Sequence, residues 1–307
     1  MSKHESVLLD ETITALELKE DGVYVDATLG YAGHSGELLK RVKRGYLFAF
    51  DQDRCAINYS NEYLRKIGDN FKTLNTNFEN ITEYLSELEI TEIDGIMFDL
   101  GVSSPQLDQQ DRGFSYHMDA PLDMRMDQRQ NKTAYTVVNE YDHGDLIRIF
   151  RDYGEEKYAV SIAKTIVKAR EEAPIKTTLE LVQIIKRSMP EKVKKGKHPA
   201  RKVFQAIRIE VNRELEILRN SVSDAIKLLR PGGIIAVITF HSLEDRIIKV
   251  LFNELSEIDP IYKGMPDIPA DKHPILADVK RIFPSKEEIE INNRSRSAIL
   301  RVARKNR

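Results

Sequence analysis

One cysteine, Cys55, stands in a chain of 307 residues, so neither an intrachain disulfide nor a zinc cluster built from cysteines can form. Long hydrophobic runs are missing as well. The longest, Ile234 to Phe240, is far short of the ~20 apolar residues needed to cross a bilayer. The opening Met1-Ser-Lys-His-Glu-Ser6 has no apolar signal-peptide core behind its charge. No internal repeat or low-complexity tract is visible. These absences exclude a disulfide-stapled secreted scaffold, a membrane-spanning chain and a fibrous one. A cytoplasmic protein is expected, with no membrane contact and no required metal.

What is present fits that expectation. Hydrophobic residues make up 41% and charged residues 31%, the proportions of a globular chain rather than a disordered one. The length suits one large or two modest domains. The net charge of −2 hides two clusters, Lys192 to Lys202 and Asn292 to Arg307, each with six Lys or Arg and no acid. Such runs are commonly solvated faces, but two of them in a near-neutral chain also suit phosphate contacts.

Apolar residues at spacings of three to four mark residues 6 to 18 as an amphipathic helix. Short strands are expected at Val23 to Ala27, Tyr46 to Phe50, Phe71 to Asn75 and Ile93 to Phe98. Helical stretches near 34–43, 53–66 and 79–88 leave room for the crossovers that parallel strands require. The stretch from 105 to about 130 has no useful periodicity and reads as a long loop, a form usually functional or mobile. Helix then follows helix from 131 to about 190, and a long helix runs from about Pro199 to Leu229 with a break near Ser221. Arg230-Pro-Gly-Gly233 is a turn signal. A fifth strand follows at Ile234 to Phe240, then a helix opened by a capping box from Ser242 to Asp245. Two last strands lie near Val279 to Phe283 and Ser297 to Ala303. The fold expected is α/β, a Rossmann-like sheet formed by 1–104 and 205–307, with an all-helical domain inserted over 105–204.

The turn Asp26-Ala-Thr-Leu-Gly30-Tyr-Ala-Gly33-His34-Ser35 joins a strand to a helix. Glycines there let a ligand approach the backbone, and the helix start offers unpaired N–H groups. An ordinary strand-to-helix connection would look the same. The fingerprint G-x-G-x-x-G is broken at Ala32, and no phosphate-loop Lys-Ser/Thr follows. A nucleoside site without a pyrophosphate pattern suits S-adenosylmethionine and argues against a nicotinamide enzyme. Asp51 ends the second strand, where an acid accepts both ribose hydroxyls. Asp99 ends the fourth strand and points at the same crevice as Asp26 and Asp51, although an Asx turn before Gly101 would also explain it. Phe78 serves adenine or the core equally well. His241, directly after the fifth strand, faces the crevice or caps a helix. Asp123-Met-Arg-Met-Asp127 is a lid or plain loop surface, and Glu244-Asp-Arg246 reads as a charged helix turn.

With those motifs assembled, the chain resembles the bacterial MraW/RsmH methyltransferases, which methylate N4 of a cytidine in the decoding centre of small-subunit (16S) ribosomal RNA. The resemblance runs nearly end to end. It rests on His4-Glu-Ser-Val-Leu-Leu-Asp-Glu11, the Asp26 to Ser35 turn and Asp99-Leu-Gly-Val-Ser-Ser-Pro-Gln-Leu-Asp108. It continues through Arg112-Gly-Phe-Ser-Tyr116, Pro121-Leu-Asp-Met-Arg-Met126, His198-Pro-Ala-Arg201 and Phe204-Gln-Ala-Ile-Arg208. Phe240-His-Ser-Leu-Glu-Asp-Arg246 and Arg294-Ser-Arg-Ser297 complete it. Two positions depart from the family pattern: Ala32 stands where the loop usually has glycine, and Ser6 where it has proline. An alanine with negative φ would fit there.

The resemblance implies S-adenosylmethionine contacts from Ala32, Gly33, His34, Asp51, Phe78, Asp99 and Gln106. For Gln106, and for a specific role of His34, it is the only basis. Many amino-methyltransferases carry Asn/Asp-Pro-Pro-aromatic after the fourth strand. Here Asp99-Leu-Gly-Val stands instead, so Asp99 is the catalytic analogue by place alone, with His241 or carbonyls near Gly101 to Ser103 as other partners for the amine. The missing motif argues against a DNA amino-methyltransferase. The three strand-end acids argue against an assembly factor that has lost turnover. RNA grip is expected in the inserted domain, with Arg112, Arg125, Lys194, Lys195 and Arg201 as candidate phosphate contacts.

Overall fold

Apolar runs and amphipathic stretches alternate through the first hundred residues, and strands and helices alternate with them in the computed structural model, which describes residues 6–103, 106–107, 109–190, 198–258, 260–269 and 272–306. The elements there are α1 (Leu9–Ala15), β1 (Val23–Asp26), α2 (Gly33–Arg41), β2 (Tyr46–Phe50), α3 (Arg54–Leu64), β3 (Phe71–Leu74), α4 (Ile81–Glu87) and β4 (Ile93–Asp99). Helices follow as α5 (Ala134–Glu140), α6 (His143–Asp152), α7 (Ala159–Glu172), α8 (Thr178–Arg187), α9 (Arg201–Asn212) and α10 (Glu214–Leu228). The chain closes with β5 (Leu229–Thr239), α11 (Ser242–Ser256), β6 (Leu276–Ile282), α12 (Lys286–Ile291) and β7 (Ile299–Lys305).

Seven strands make one sheet in the order β3-β2-β1-β4-β5-β7-β6. All neighbours pair in parallel except β7, which runs antiparallel to both β5 and β6. This is a Rossmann-like α/β sheet, as the sequence leads one to expect. Both faces are covered, so both sets of alternating strand residues are apolar. Val25, Phe48, Phe98 and Val237 pack with residues of α4, α10 and α11. Tyr24, Leu47, Met97 and Ala236 pack with α1, α2 and α3.

Two local expectations are corrected. Arg230 to Gly233 does not precede a strand as a turn; it lies inside β5. The pairing jumps from Ile93↔Leu229 to Gly95↔Ile234, so the intervening residues loop out as a bulge, with Gly232 at φ 83. The long helix breaks at Arg213 rather than near Ser221. Arg213 adopts φ 55 and ends α9 in the left-handed region. Beside it, the Asn212 amide donates to the Met124 carbonyl and accepts from Met126 N–H, both at 2.8 Å. Ser221 instead donates within the helix to Ile217.

The chain divides into two compact units, Met1–Gly101 with Glu216–Arg307, and Val102–Leu215. The second junction falls later than the 204/205 read from sequence, because α9 buries Val203, Phe204, Ala206, Ile207 and Val211 in the helical unit's core. The described part of the 105–130 loop is also packed: Phe114, Leu122, Met124 and Met126 all belong to that core. Among the described residues no helix is long and apolar enough to cross a membrane.

At the N-terminal ends of the strands, Asp94 is buried and accepts from the Val23 backbone N–H at 2.9 Å. Lys19 Nζ and Arg230 Nη1 each lie 3.3 Å from its other oxygen. Both cations are well exposed, so the buried N–H bond dominates. Asp94→Ala should cost about 2 kcal/mol, read as a lower urea midpoint, while cofactor affinity at the opposite strand ends stays unchanged.

Candidate active site

The turn after β1 is held by a buried carboxyl. Ser35 Oγ donates to Asp26 Oδ2 at 2.6 Å, and Thr28 N–H donates to Oδ1 at 3.1 Å. Leu29 N–H reaches the Phe50 carbonyl at 2.8 Å, and Ser60 Oγ donates to the Gly30 carbonyl at 2.8 Å. The backbone turns left-handed twice, at Gly30 (φ 49) and at Ala32 (φ 61). The negative φ expected for Ala32 is therefore wrong: this alanine holds a conformation that glycine adopts freely and other residues adopt at a cost of roughly 1–2 kcal/mol. Its methyl is fully buried, which offsets part of that cost. At Gly33 a Cβ would fall 1.8 Å from Ser6 Oγ. The family's proline position and the turn thus lie against each other.

The three strand-end acids are not level. Asp26 pairs with Ala49 on β2 and Met97 on β4. Asp51 and Asp99 therefore sit two residues further along their strands and flank the turn, while Asp26 lies beneath it. Asp51 Oδ2 accepts from Gly30 N–H and Oδ1 from Asp53 N–H, each at 2.8 Å. A carboxylate has about four acceptor sites, so two are left for a ligand. Burial pushes the Asp51 carboxyl up to about 7 against these two donors, and Asp26 to about 6.

Asp99 is also raised well above the usual carboxylate range, by burial first and then by repulsion from Asp26 and Glu244. Its side chain is 27% exposed, so water moderates that push, yet Oδ1 is buried without a hydrogen-bond partner. Its backbone N–H is held by Thr28 Oγ1 at 2.6 Å. His34 is buried, with Nε2 donating to the Val7 carbonyl at 3.2 Å. That bond assigns the proton to Nε2 and leaves Nδ1 bare, 3.6 Å from Asp99 Oδ2. Burial lowers His34 to about 4. The imidazole is therefore neutral, and its contact with Asp99 is not an ion pair.

Other candidates are placed differently. Phe78 is half-buried, with its ring meeting Phe98 edge-on at 5.7 Å. His241 caps α11: Glu244 N–H reaches its Nδ1 at 3.4 Å, and Glu244 Oε2 accepts from the N–H groups of Phe240 and His241. Nε2 lies 3.1 Å from Glu244 Oε1, off line for a hydrogen bond. The capping box is thus His241–Glu244, one residue earlier than Ser242–Asp245, so His241 takes the helix-capping position. Glu244 to Arg246 form a charged turn at the start of α11, as read from sequence, with Glu244 buried and Asp245 in a bidentate pair with Arg301. Gln106 belongs to the helical unit, where its Oε1 accepts from Ser103 N–H at 3.0 Å.

Two of the expected phosphate contacts spend their donors within the protein instead. Arg112 is 3% exposed and donates to the carbonyls of Arg125 and Met126. Arg125 is bidentate to Asp123 and also donates to the carbonyls of Gln128 and Gln130. Both organise the 111–130 segment. Arg201 is exposed at the start of α9, and Lys194 and Lys195 lie outside the described residues. Thr28 and Ser35 are not singled out by the sequence, although both lie within the quoted turn.

The acceptors left open on Asp51 and Asp99 suit hydroxyls and cations and repel phosphate. An orphaned buried acceptor such as Asp99 Oδ1 is the kind that a ligand donor satisfies. The arrangement fits S-adenosylmethionine, with its ribose diol and its sulfonium and ammonium charges.

A model of the MraW methylase family matches residues 1–306. The chain is 52% identical over 306 residues to the ribosomal RNA small subunit methyltransferase H of Clostridium botulinum (strain Loch Maree / Type A3), covering 99% of each. Among solved structures it is similar to a candidate rRNA methylase from Clostridium thermocellum, with a TM-score of 0.47 and 15% identity over 99% of this chain and 100% of that one. An rRNA methylase from Streptococcus thermophilus gives 0.43 and 12% over 100% and 99%.

The strain at Ala32 can be measured by denaturation. Ala32→Gly should change stability by under about 1 kcal/mol, as strain relief offsets the lost methyl. Ala32→Val, β-branched at a positive φ and without room, should cost about 2–3 kcal/mol. Equal urea midpoints for the two variants would contradict the left-handed turn.

Proposed function

Since the chain belongs to the MraW methylase family, we propose that it methylates the N4 amine of a cytidine in the decoding centre of 16S ribosomal RNA, with S-adenosylmethionine as donor. The observation that carries the site is the pair Asp51 and Asp99, flanking a left-handed turn with acceptors left open. The RNA class is supported by the name of the relative that shares 52% of its residues.

Bound at this turn, S-adenosylmethionine supplies an electrophilic methyl group on a sulfonium. The protein's own task is alignment and charge. A cytosine amine is a poor nucleophile because its lone pair is delocalised into the ring. It must be held in line with the methyl carbon, and its N–H groups need acceptors so that nitrogen can pyramidalise. A strong base is not required, because the proton becomes acidic as the methyl arrives. Asp51 accepts the ribose hydroxyls. Asp99 offers Oδ1 to a donor in the crevice, and His34 borders its other oxygen. The substrate base must leave its stack to reach strand ends. Residues 102–215 provide the RNA grip in this reading, with Arg201, Lys194 and Lys195 as phosphate contacts.

Mapping methylated nucleosides in 16S ribosomal RNA, with and without the active protein, tests the acceptor. One N4-methylated cytidine should disappear with the activity; loss of a different methylated nucleoside overturns the proposal. Asp99→Asn should lower kcat on the order of 10²-fold with a smaller change in cofactor affinity. Unchanged turnover would remove the carboxyl from the reaction.

Cofactor binding should also depend on pH. Asp51 titrates near 7 in the free protein and binds the ribose as a carboxylate, so binding releases a proton. Affinity should fall as pH drops below 7, approaching about tenfold per pH unit. Calorimetry at pH 6.5 in buffers of different ionisation enthalpy would register the released protons.

A further inference from the structure

Within the helical unit, three rings gather at a place the methyl-transfer chemistry does not use. Tyr116 stacks on His198 with centroids 4.5 Å apart and planes at 20°. His117 lies 4.5 Å from the Tyr116 ring on a tilted plane and 5.2 Å from His198. The group is rooted in the core, since Tyr116 meets the buried Phe204 edge-on at 5.7 Å. It opens to solvent at the other end: Tyr116 and His198 are half-buried and His117 is exposed. The His198 ring is oriented by Ala200 N–H, which donates to Nδ1 at 3.3 Å.

The surroundings are cationic. Arg201 begins α9, exposed, and its N–H donates to the His198 carbonyl at 3.1 Å. The groups whose charge acts on His198 are His117 and Lys186, and both, after burial, push its titration down. The nearby Asp119 is turned to the start of α8, accepting from Leu179 N–H. Half-exposed rings beside cations supply the two things that hold single-stranded nucleic acid, a π-face for a base and positive charge for the backbone.

We propose that Tyr116, His117 and His198 form a stacking platform for an unpaired base of the substrate RNA, with Arg201 against an adjoining phosphate. This rests on the reading of the substrate as RNA and adds a second point of grip to it.

The probe is a fluorescein-labelled, unstructured oligocytidylate, compared with an abasic oligomer of the same length by anisotropy on the full chain. His117→Ala should weaken binding of the oligocytidylate about tenfold and leave the abasic oligomer unchanged. His117→Phe should bind the oligocytidylate nearly as well as the parent. The chain contains no tryptophan, so His117→Trp installs a single reporter whose emission the oligocytidylate, and not the abasic oligomer, should quench. Calorimetry with S-adenosylmethionine checks that each variant is folded. Oligocytidylate binding unaltered by His117→Ala, equal losses for the two oligomers, or an unquenched tryptophan would each overturn the platform while the RNA reading stands. A parent protein that binds neither oligomer would overturn both.

Discussion

Asp26 donates nothing and exposes nothing, yet the crevice depends on it. Its two oxygens take the hydroxyl of Ser35 and the N–H of Thr28, which ties the last residue of β1 to the first turn of α2 and fixes the chain between them. Thr28 in turn holds the backbone of Asp99, and Gly30 donates to Asp51. One buried carboxyl thus sets the spacing of two others. Gathering acids in a low-dielectric place raises the energy of their charged forms. Burial raises the titration of all three for that reason, and a cationic ligand would offset the cost of ionising them. The site is shaped for charge it does not itself contain.

Much of this was legible in the sequence because it is periodic or local. Parallel strands covered on both faces read as short apolar runs, and β2 spans the same residues in sequence and structure. Strand-end acids announce themselves by position. What escaped is what depends on partners distant in sequence. The positive φ of Ala32 is imposed by its surroundings and contradicts the residue's own preference. The bulge in β5 reads as a turn because the same Pro-Gly-Gly serves both, and only pairing with β4 decides. His241 and Ser242 are adjacent potential caps, and the choice between them follows from Glu244 reaching back to two N–H groups.

The helical unit teaches the same lesson about charge. Asp123-Met-Arg-Met-Asp127 looks like a polar loop, and in the structure its methionines enter the core while its arginine clamps its own carbonyls. A guanidinium with five donors is well suited to satisfy a segment that lacks helix or strand bonds of its own. The irregular backbone is therefore ordered by arginine side chains where regular structure would use main-chain ladders.

That internal use of arginine changes how the chain meets a polyanion. Each cation that neutralises a phosphate releases condensed counterions, and the number released sets how steeply affinity declines with salt. Arg125 is already ion-paired with Asp123, and Arg112 is buried with its donors on carbonyls, so neither is presented to a phosphate. Counting basic residues in the helical unit therefore overstates the ionic hold it can offer a polyanion, and for such a ligand contacts insensitive to salt would carry a larger share of the affinity.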